Sequence, residues 1–212
     1  MSEFLTPEEM LALDGVEQEA DVAYIPLPNT VDVVISDVLS PKAVTPTAFA
    51  FPFFDNGDVL LAHNRRRQVE VPGGHRDPIP PKGMTLAETL RLPPSVLKTL
   101  EKEHPAVAAA RETLEETGAV VTELVPVGFM RSHSDGVMPK DYKYPWPNSC
   151  QQFFAARIEQ VIAFEETDEC RPPVRLTHEQ AEQEFNGRTL ALYQAARDAM
   201  FPQAAPQKLP TP

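Results

Sequence analysis

The sequence predicts a mixed α/β fold, because strand-like and helix-like segments alternate along one domain-sized chain of 212 residues. The first observation is a β-hairpin pattern, in which residues 47–54 and 58–62 flank the turn sequence Asp55-Asn56-Gly57. The second is a helix that begins with Pro105 and ends at Gly118. The third is a pair of β-rich segments after that helix, which gives the chain enough strands for a sheet.

The first 45 residues are predicted to be an N-terminal extension of the main domain. A capping box that begins at Thr6, with proline at the next position, predicts a short helix ending near Asp14. Residues 15–45 are expected to be irregular, apart from a strand at residues 31–35.

The segments that follow the hairpin give the middle of the chain its predicted elements. A short strand at residues 69–71 ends in Pro72-Gly73-Gly74, and residues 75–102 contain five prolines and two expected short helices. After the helix that ends at Gly118, strands are expected at residues 119–129 and 150–158. A loop rich in proline and aromatic residues separates these two strands.

The last strand is predicted at residues 173–176, and a second capping box at Thr177 predicts one helix that continues to about Met200. Residues 201–212 are rich in proline and are predicted to be a disordered tail. The main domain is therefore expected to span residues 46–200, with an insertion at about 76–102.

The charge and hydropathy of the chain exclude some classes of function. Acidic residues outnumber basic ones by 31 to 19, which gives a net charge of −12 and argues against binding to nucleic-acid polymers. No apolar run reaches the roughly 18 residues that a membrane span needs, so no membrane association is expected. The N-terminus lacks the pattern of a signal peptide, and we expect a cytoplasmic protein.

Three glutamates of the central helix share one face. At about 100° per residue, Glu112, Glu115 and Glu116 fall within a fan of about 100°, and Val107 and Leu114 are expected to pack inward on the opposite side together with Ala110. One interpretation is the solvated acidic face of an unrelated α/β domain. However, like charges at these spacings repel, and the negative end of the helix dipole disfavours anions in its last turn. A bound divalent cation would reverse both penalties.

Seven residues in and before this helix resemble the Nudix box of the Nudix hydrolases, with the pattern G-x5-E-x7-R-E-U-x-E-E-x-G-U, in which U is a bulky aliphatic residue. They are Gly74, Glu103, Arg111, Glu112, Glu115, Glu116 and Gly118. The gap from Gly74 to Glu103 contains 28 residues instead of five, which is an insertion of 23. An insertion that is stiffened by prolines can return to its origin, so Gly74 can still lie beside the helix. Thr113 and Ala119 stand where the pattern has bulky aliphatic residues.

The resemblance implies a Nudix-like α/β/α sandwich with a mixed β-sheet, and a pyrophosphohydrolase that uses Mg²⁺ or Mn²⁺ on a small diphosphate-containing substrate. It assigns metal binding to Glu112, Glu115, Glu116 and the carbonyl of Gly73. Arg111 would orient Glu115. Glu103, Gly74 and Gly118 would be structural residues of the box. Homodimers are common in the family, so a homodimer is one assembly that the resemblance implies.

The resemblance leaves alternatives for several roles. The general base is either Glu112 or a carboxylate of a later loop, and these loop candidates are Glu165, Glu166, Asp168 and Glu169, of which Glu169 fits the family best. Arg65, Arg66 and Arg67 are candidates for binding substrate phosphate. Residues 142–147 either stack against a base or sugar or pack over the core. The alternative function is a non-catalytic, nucleotide-binding regulatory module.

Overall fold

Strands and helices alternate along the chain, and the computed structural model describes them for residues 2–97 and 99–202. Within these ranges the strands are β1 (Val16–Ala20), β2 (Asn29–Ile35), β3 (Thr47–Phe53), β4 (Val59–Asn64), β5 (Gln68–Glu70), β6 (Gly73–His75), β7 (Ala119–Ser134), β8 (Asn148–Val161) and β9 (Cys170–Leu176). The α-helices are α1 (Pro7–Ala12), α2 (Leu86–Thr89), α3 (Pro94–Leu97), α4 (Pro105–Thr117), α5 (His178–Glu184) and α6 (Gly187–Met200).

All of these strands belong to one mixed sheet. Its main path has the order β1-β2-β7-β8-β3-β4-β5, while β6 pairs with β3 and β9 pairs with β4. The β3–β8 pair is parallel, and the other pairs are antiparallel. This topology brings β6, which contains Gly73 and Gly74, beside the strand at the centre of the domain.

The alternation of side chains along β3 explains why the sheet has a helical layer on each face. Phe51 and Phe53 point to one face and pack in a core with residues of α5 and α6. Ala48 and Ala50 point to the other face, where they meet the buried alanines of α4. Small residues on both sides of this contact let α4 lie close to the sheet. The predicted α/β/α sandwich with a mixed sheet is therefore confirmed.

The prediction of one helix from Thr177 to Met200 is wrong, because the chain leaves the helical conformation at Phe185 and Asn186. Phe185 is buried, and its ring packs 5.9 Å from that of Phe51 and 5.4 Å from that of Tyr193. Gly187 then starts α6 with a φ angle of +43°. The aromatic core therefore fixes a break that capping signals do not indicate.

The N-terminal residues contribute more structure than the sequence predicts. The strand expected at 31–35 is β2, which begins at Asn29 and pairs with β7 over its whole length. The N-terminal residues also contain β1, which lies in the segment that the sequence predicts to be irregular. All five residues of β1 are exposed. An exposed edge strand has no apolar alternation from which it can be recognised.

The predicted disordered tail lies outside the described residues from position 203 onward. Among the helices in the described ranges, none has both the length and the hydropathy that are needed to cross a membrane.

Candidate active site

The glutamate-bearing helix α4 has well-defined ends that fix the register of its acidic side chains. Pro105 is its first residue, and Nδ1 of His104 accepts a hydrogen bond from the amide of Ala106 at 3.2 Å. Gly118 ends the helix in the left-handed conformation with φ +71°, and its amide donates to the carbonyl of Leu114 at 2.9 Å. The predicted helix boundaries are confirmed.

The predicted inward face of α4 is wrong. Val107 is 55% exposed and Leu114 is 38% exposed, whereas Ala108, Ala109 and Thr113 are fully buried. The helix turns its small residues towards the sheet because the alanines of β3 leave room only for a close approach. Glu112 and Glu116 are therefore half-buried against the protein, whereas the side chain of Glu115 is 57% exposed.

Glu116 is held against the strand that contains the two glycines. Its Oε2 accepts a hydrogen bond from the amide of Gly73 at 2.9 Å. Burial raises the pKa of Glu116 to about 7, although the hydrogen bond from Gly73 acts to lower it. The nearby negative charges of Glu70 and Glu112 also raise the pKa. A carboxyl group that is buried among other carboxylates is costly for the fold and is typical of a functional site.

Glu112 lies against Gly74. Its side chain is 16% exposed, and burial raises its pKa although the Arg111 guanidinium opposes this shift. A Cβ atom at Gly74 would come within 2.5 Å of Oε1 of Glu112. Only glycine at this position therefore leaves the Glu112 carboxylate where it is.

We expect Gly74→Ala to lower enzymatic turnover at least tenfold while changing the free energy of unfolding by less than about 1 kcal/mol. The added methyl group meets the movable end of a side chain, so the fold can absorb it by displacing the Glu112 carboxylate. Steady-state kinetics and urea unfolding of the same preparation check this prediction. Gly57→Ala is a control for the loss of a glycine, because no atom lies within 4 Å of a Cβ at that position, although its φ of +88° adds local strain. Full turnover by Gly74→Ala would contradict the prediction.

Arg111 lies outside the acidic surface of α4 that faces Gly73 and Gly74, and its hydrogen bonds link several acidic side chains. Its guanidinium donates to Glu103 at 2.7 Å, to Glu112 at 3.0 Å and to Glu115 at 3.3 Å, and it also donates to the carbonyl of His75 at 2.9 Å. Burial alone would lower the pKa of Arg111, but the hydrogen bond to Glu103 and the attraction of Glu112 outweigh it and raise the pKa. Arg111 therefore stays charged and restrains three carboxylates.

The long insertion returns to its origin, so Gly74 and α4 stay adjacent. Asp77 and Glu103 close its base through two hydrogen bonds, one from the Glu103 amide to the Asp77 carbonyl at 2.8 Å and one from the Asp77 amide to the Glu103 carboxylate at 2.9 Å. Arg76 is 3% exposed and donates to the carbonyls of Glu103, Lys42 and Thr45 at 2.6, 3.0 and 2.7 Å. This buried guanidinium joins both ends of the insertion to the loop before β3.

A cleft of about 790 Å³ opens over these side chains. Most of the residues named from the sequence as candidates line it, together with a neutral rim that includes Thr47, Tyr144 and Gln151. The candidate residues that line it are Arg67, Gly73, Gly74, Glu112, Glu115, Glu116, Asp168 and Glu169. Arg111, Glu103 and Gly118 do not line the cleft and instead hold or end the helix behind it.

The arginine candidates and Glu169 differ in their exposure and in their partners. Arg67 is exposed at its mouth, 3.1 Å from Glu70 and 3.9 Å from Glu169. Arg66 lines a neighbouring depression, and Arg65 turns away to pair with Glu166 at 3.0 Å. The side chain of Glu169 is 72% exposed on the rim.

The sequence does not mark Glu70 and Cys170 as functional residues, although both lie near the carboxylates of the cleft. Burial raises the pKa of Glu70. The sequence signal for this residue is a charged side chain between Val69 and Val71, just before Pro72. Burial also raises the pKa of the Cys170 thiol to about 11, and the charges of Glu116 and Glu169 add to this effect. The thiol is therefore protonated at neutral pH and is a poor nucleophile.

The donors around the cleft fit a hard divalent cation, because Glu112, Glu115 and Glu116 supply carboxylate oxygens and two of these groups have a raised pKa. In residues 2–97 and 99–202, no three histidine, cysteine, aspartate or glutamate side chains are already arranged around one point as a metal site. Hydrogen bonds from Arg111 and Gly73 hold the carboxylates along the cleft instead. Metal binding by these residues stays a prediction.

Residues 44–194 match the model of the NUDIX domain family. This range covers more than half of the chain and includes the cleft, the insertion and α4. No curated protein matches the sequence of the chain.

The structure is similar to several solved structures. A mutant of a pyrophosphohydrolase from Bacillus subtilis has 19% sequence identity and a TM-score of 0.54, and the match covers 84% of this chain and 96% of that one. The NUDIX domain of Shewanella oneidensis NrtR, in a complex with ADP ribose, has 14% identity, a TM-score of 0.45 and coverages of 74% and 88%. An Ap4A hydrolase of C. elegans has 14% identity, a TM-score of 0.42 and coverages of 73% and 97%. The first of these three supports the same fold.

Proposed function

The chain belongs to the NUDIX domain family and is a Nudix-type hydrolase, and from this premise we propose that it cleaves the diphosphate linkage of a nucleoside diphosphate derivative or a similar small phosphorylated metabolite, with Mg²⁺ or Mn²⁺ as cofactor. The family match over residues 44–194 supports the class of reaction. The resemblance to the Nudix hydrolases implies the substrate class and the metal ion, and the carboxylates of the cleft support the metal.

One observation carries this proposal. The three glutamates of α4 and the Gly73-Gly74 strand line a single cleft, and burial raises the pKa of Glu112 and of Glu116 there. A diphosphate and a group of carboxylates repel each other because both are negative, and a divalent cation between them would offset this repulsion. The arrangement therefore favours a phosphate-transfer site that works with a divalent metal.

We assign the metal to Glu112, Glu115, Glu116 and the carbonyl of Gly73. When bound, it would neutralise phosphate charge and lower the pKa of a bound water. Arg111 contributes by restraining Glu112 and Glu115 through hydrogen bonds of 3.0 and 3.3 Å. Gly73 contributes by fixing Glu116 through its amide.

The reaction adds one water to a phosphorus atom, breaks the bridging P–O bond and releases two phosphate-containing products. Glu112 is our first candidate to accept the proton of this water, because its carboxylate lines the cleft and burial raises its pKa towards a useful range. Glu169 is the second candidate, and its exposed position on the rim makes it the weaker one. Of the three arginines, Arg67 is our candidate for binding a phosphate, because it lines the cleft. Arg65 pairs with Glu166, and Arg66 lines only the neighbouring depression.

A substrate panel tests the proposal. The full chain is incubated with nucleoside triphosphates, dinucleoside polyphosphates, ADP-ribose and nucleotide sugars in the presence of Mg²⁺ or Mn²⁺, and phosphate-containing products are measured by chromatography. We expect at least one member to be cleaved at its diphosphate linkage, and we expect chelation of the metal to stop the reaction. Tight binding of a nucleotide without cleavage of any member would instead favour the regulatory module.

A further inference from the structure

The insertion in the Nudix box forms a small lobe outside the apolar core of the domain. We define this insertion lobe as residues 78–101, because the hydrogen bonds between Asp77 and Glu103 close its base. It contains α2 and α3, which are helices of four residues each. Among the described residues of the lobe, none belongs to an apolar cluster of the domain. The lobe is therefore an addition to the surface.

The insertion lobe exposes apolar side chains that its own helices cannot cover. Ile79, Leu90 and Val96 are 45%, 50% and 41% exposed. A helix of about one turn presents too few side chains to bury an apolar face against a neighbour. Exposed apolar side chains that are concentrated in one segment are typical of an interaction surface. The lobe therefore has the composition of a docking surface.

The insertion lobe is basic, although the chain as a whole has a net charge of −12. It contains three basic and two acidic residues, and both acidic side chains are engaged, since Glu88 caps α2 and Glu101 pairs with Lys42. Lys82 and Arg91 are exposed, and neither forms an ion pair with another described residue. The docking surface therefore favours an acidic partner.

A surface of the opposite charge lies near the N-terminus. We define the acidic segment as residues 8–20, which contain five acidic residues and no basic one. All but one of these residues are exposed, and the apolar side chains of Leu11 and Val16 are 55% and 49% exposed. Asp14 and Glu17 have no ion-pair partner in the part of the chain that the structure describes. The acidic segment is therefore complementary to the lobe in charge and similar to it in apolar exposure.

The two surfaces lie apart within one chain. The acidic segment ends in β1 at one end of the sheet, and the insertion lobe begins shortly after β6, which pairs with β3. The strands β2, β7, β8 and β3 lie between β1 and β6, which corresponds to about 24 Å across the sheet. In the described ranges, no hydrogen bond or ion pair connects the lobe to the acidic segment. A contact between them therefore requires a second chain.

We propose that the insertion lobe of one chain docks on the acidic segment of a second copy of the chain, and that two such contacts close a twofold dimer. Opposite charges bring the two surfaces together and fix their register, and the contact removes the exposed apolar side chains from water. The pattern of the Nudix box has five residues where this chain has 28, so the docking surface is a feature of the insertion.

Analytical ultracentrifugation of the full chain, over a series of protein and salt concentrations, is the first test. We expect a dimer whose dissociation constant rises at least tenfold from low to high salt, because salt screens the attraction between exposed charges. A chain that stays monomeric at every protein concentration would overturn the inference. A dimer whose dissociation constant does not depend on salt would overturn it as well.

Reversal of charge identifies the two surfaces. One variant combines Lys82→Glu with Arg91→Glu in the lobe, and the other combines Asp14→Lys with Glu17→Lys in the acidic segment. We expect each variant alone to dimerise at least tenfold more weakly than the unmodified chain, because surfaces of like charge then face each other. We expect an equal mixture of the two variants to form the dimer again, because both contacts of a mixed dimer join opposite charges.

A control variant combines Glu159→Lys with Asp198→Lys. It changes the net charge by the same amount as the variant of the acidic segment, at two exposed positions outside both surfaces. We expect it to dimerise like the unmodified chain. A dimer of normal strength in either charge-reversed variant alone, or a mixture of the two that stays monomeric, would show that the lobe and the acidic segment are not the contact.

Discussion

Replacement of Glu116 by glutamine is expected to lower metal-dependent diphosphate hydrolysis by a factor of a hundred or more. Glutamine is almost the same size and can still accept the hydrogen bond from the Gly73 amide, but it supplies one neutral oxygen in place of a carboxylate. Initial rates with the best panel substrate, at saturating Mg²⁺ and pH 8, measure the effect.

The same substitution is expected to stabilise the fold. Burial raises the pKa of Glu116 to about 7 from an ordinary value of 4.5, so at pH 8 the group is ionised in both states and its burial disfavours the folded one. With allowance for solvent screening, we expect a gain of about 1 kcal/mol in the free energy of unfolding, measured in chelator at pH 8. Glu159→Gln is the matched control, because Glu159 is exposed on β8. Unchanged activity in Glu116→Gln would remove Glu116 from the site.

Replacement of Arg76 by methionine is expected to cost about 3 kcal/mol of stability, because it removes the donor from one buried carbonyl and from several partly buried ones. Those of Glu103 and Thr45 accept from Arg76 at 2.6 and 2.7 Å. The melting temperature should fall by roughly 6–12 °C for a domain of this size. We also expect activity to fall at temperatures where the fold persists, because Glu103 restrains Arg111 and, through it, Glu112.

Arg91→Met provides the control for this prediction. Arg91 is an exposed arginine of the same insertion, so its replacement should change the free energy of unfolding by less than about 0.5 kcal/mol. If Arg76→Met were as stable as Arg91→Met, Arg76 would not be the residue that closes the insertion. Both variants can be compared by thermal unfolding and by the rate of hydrolysis at 20 °C.

Local signals in the sequence predict the central helix well. Pro105 and Gly118 mark its ends, and the spacing of Glu112, Glu115 and Glu116 is enough to bring these side chains to one side. The hairpin around Gly57 and the capping box at Thr177 are also confirmed. Each of these features depends on residues that are close in sequence, which is why propensity and spacing are sufficient.

The orientation of that helix depends on residues far away in the sequence. The pattern of α4 alone favours an inward face with Val107 and Leu114, but the alanines of β3 accept only the small residues of α4. The strand β1, the break at Phe185 and the position of Glu70 likewise depend on partners elsewhere in the sheet.

Direct titration with Mn²⁺, followed by electron paramagnetic resonance, tests most directly whether the acidic face of α4 is a metal-dependent hydrolase site. We expect the unmodified chain and Glu159→Gln to bind at least one Mn²⁺ each, and we expect Glu112→Gln and Glu116→Gln to bind it at least tenfold more weakly. The same Mn²⁺ affinity in all four proteins would contradict the assignment of the metal, and with it the proposed role of the cleft.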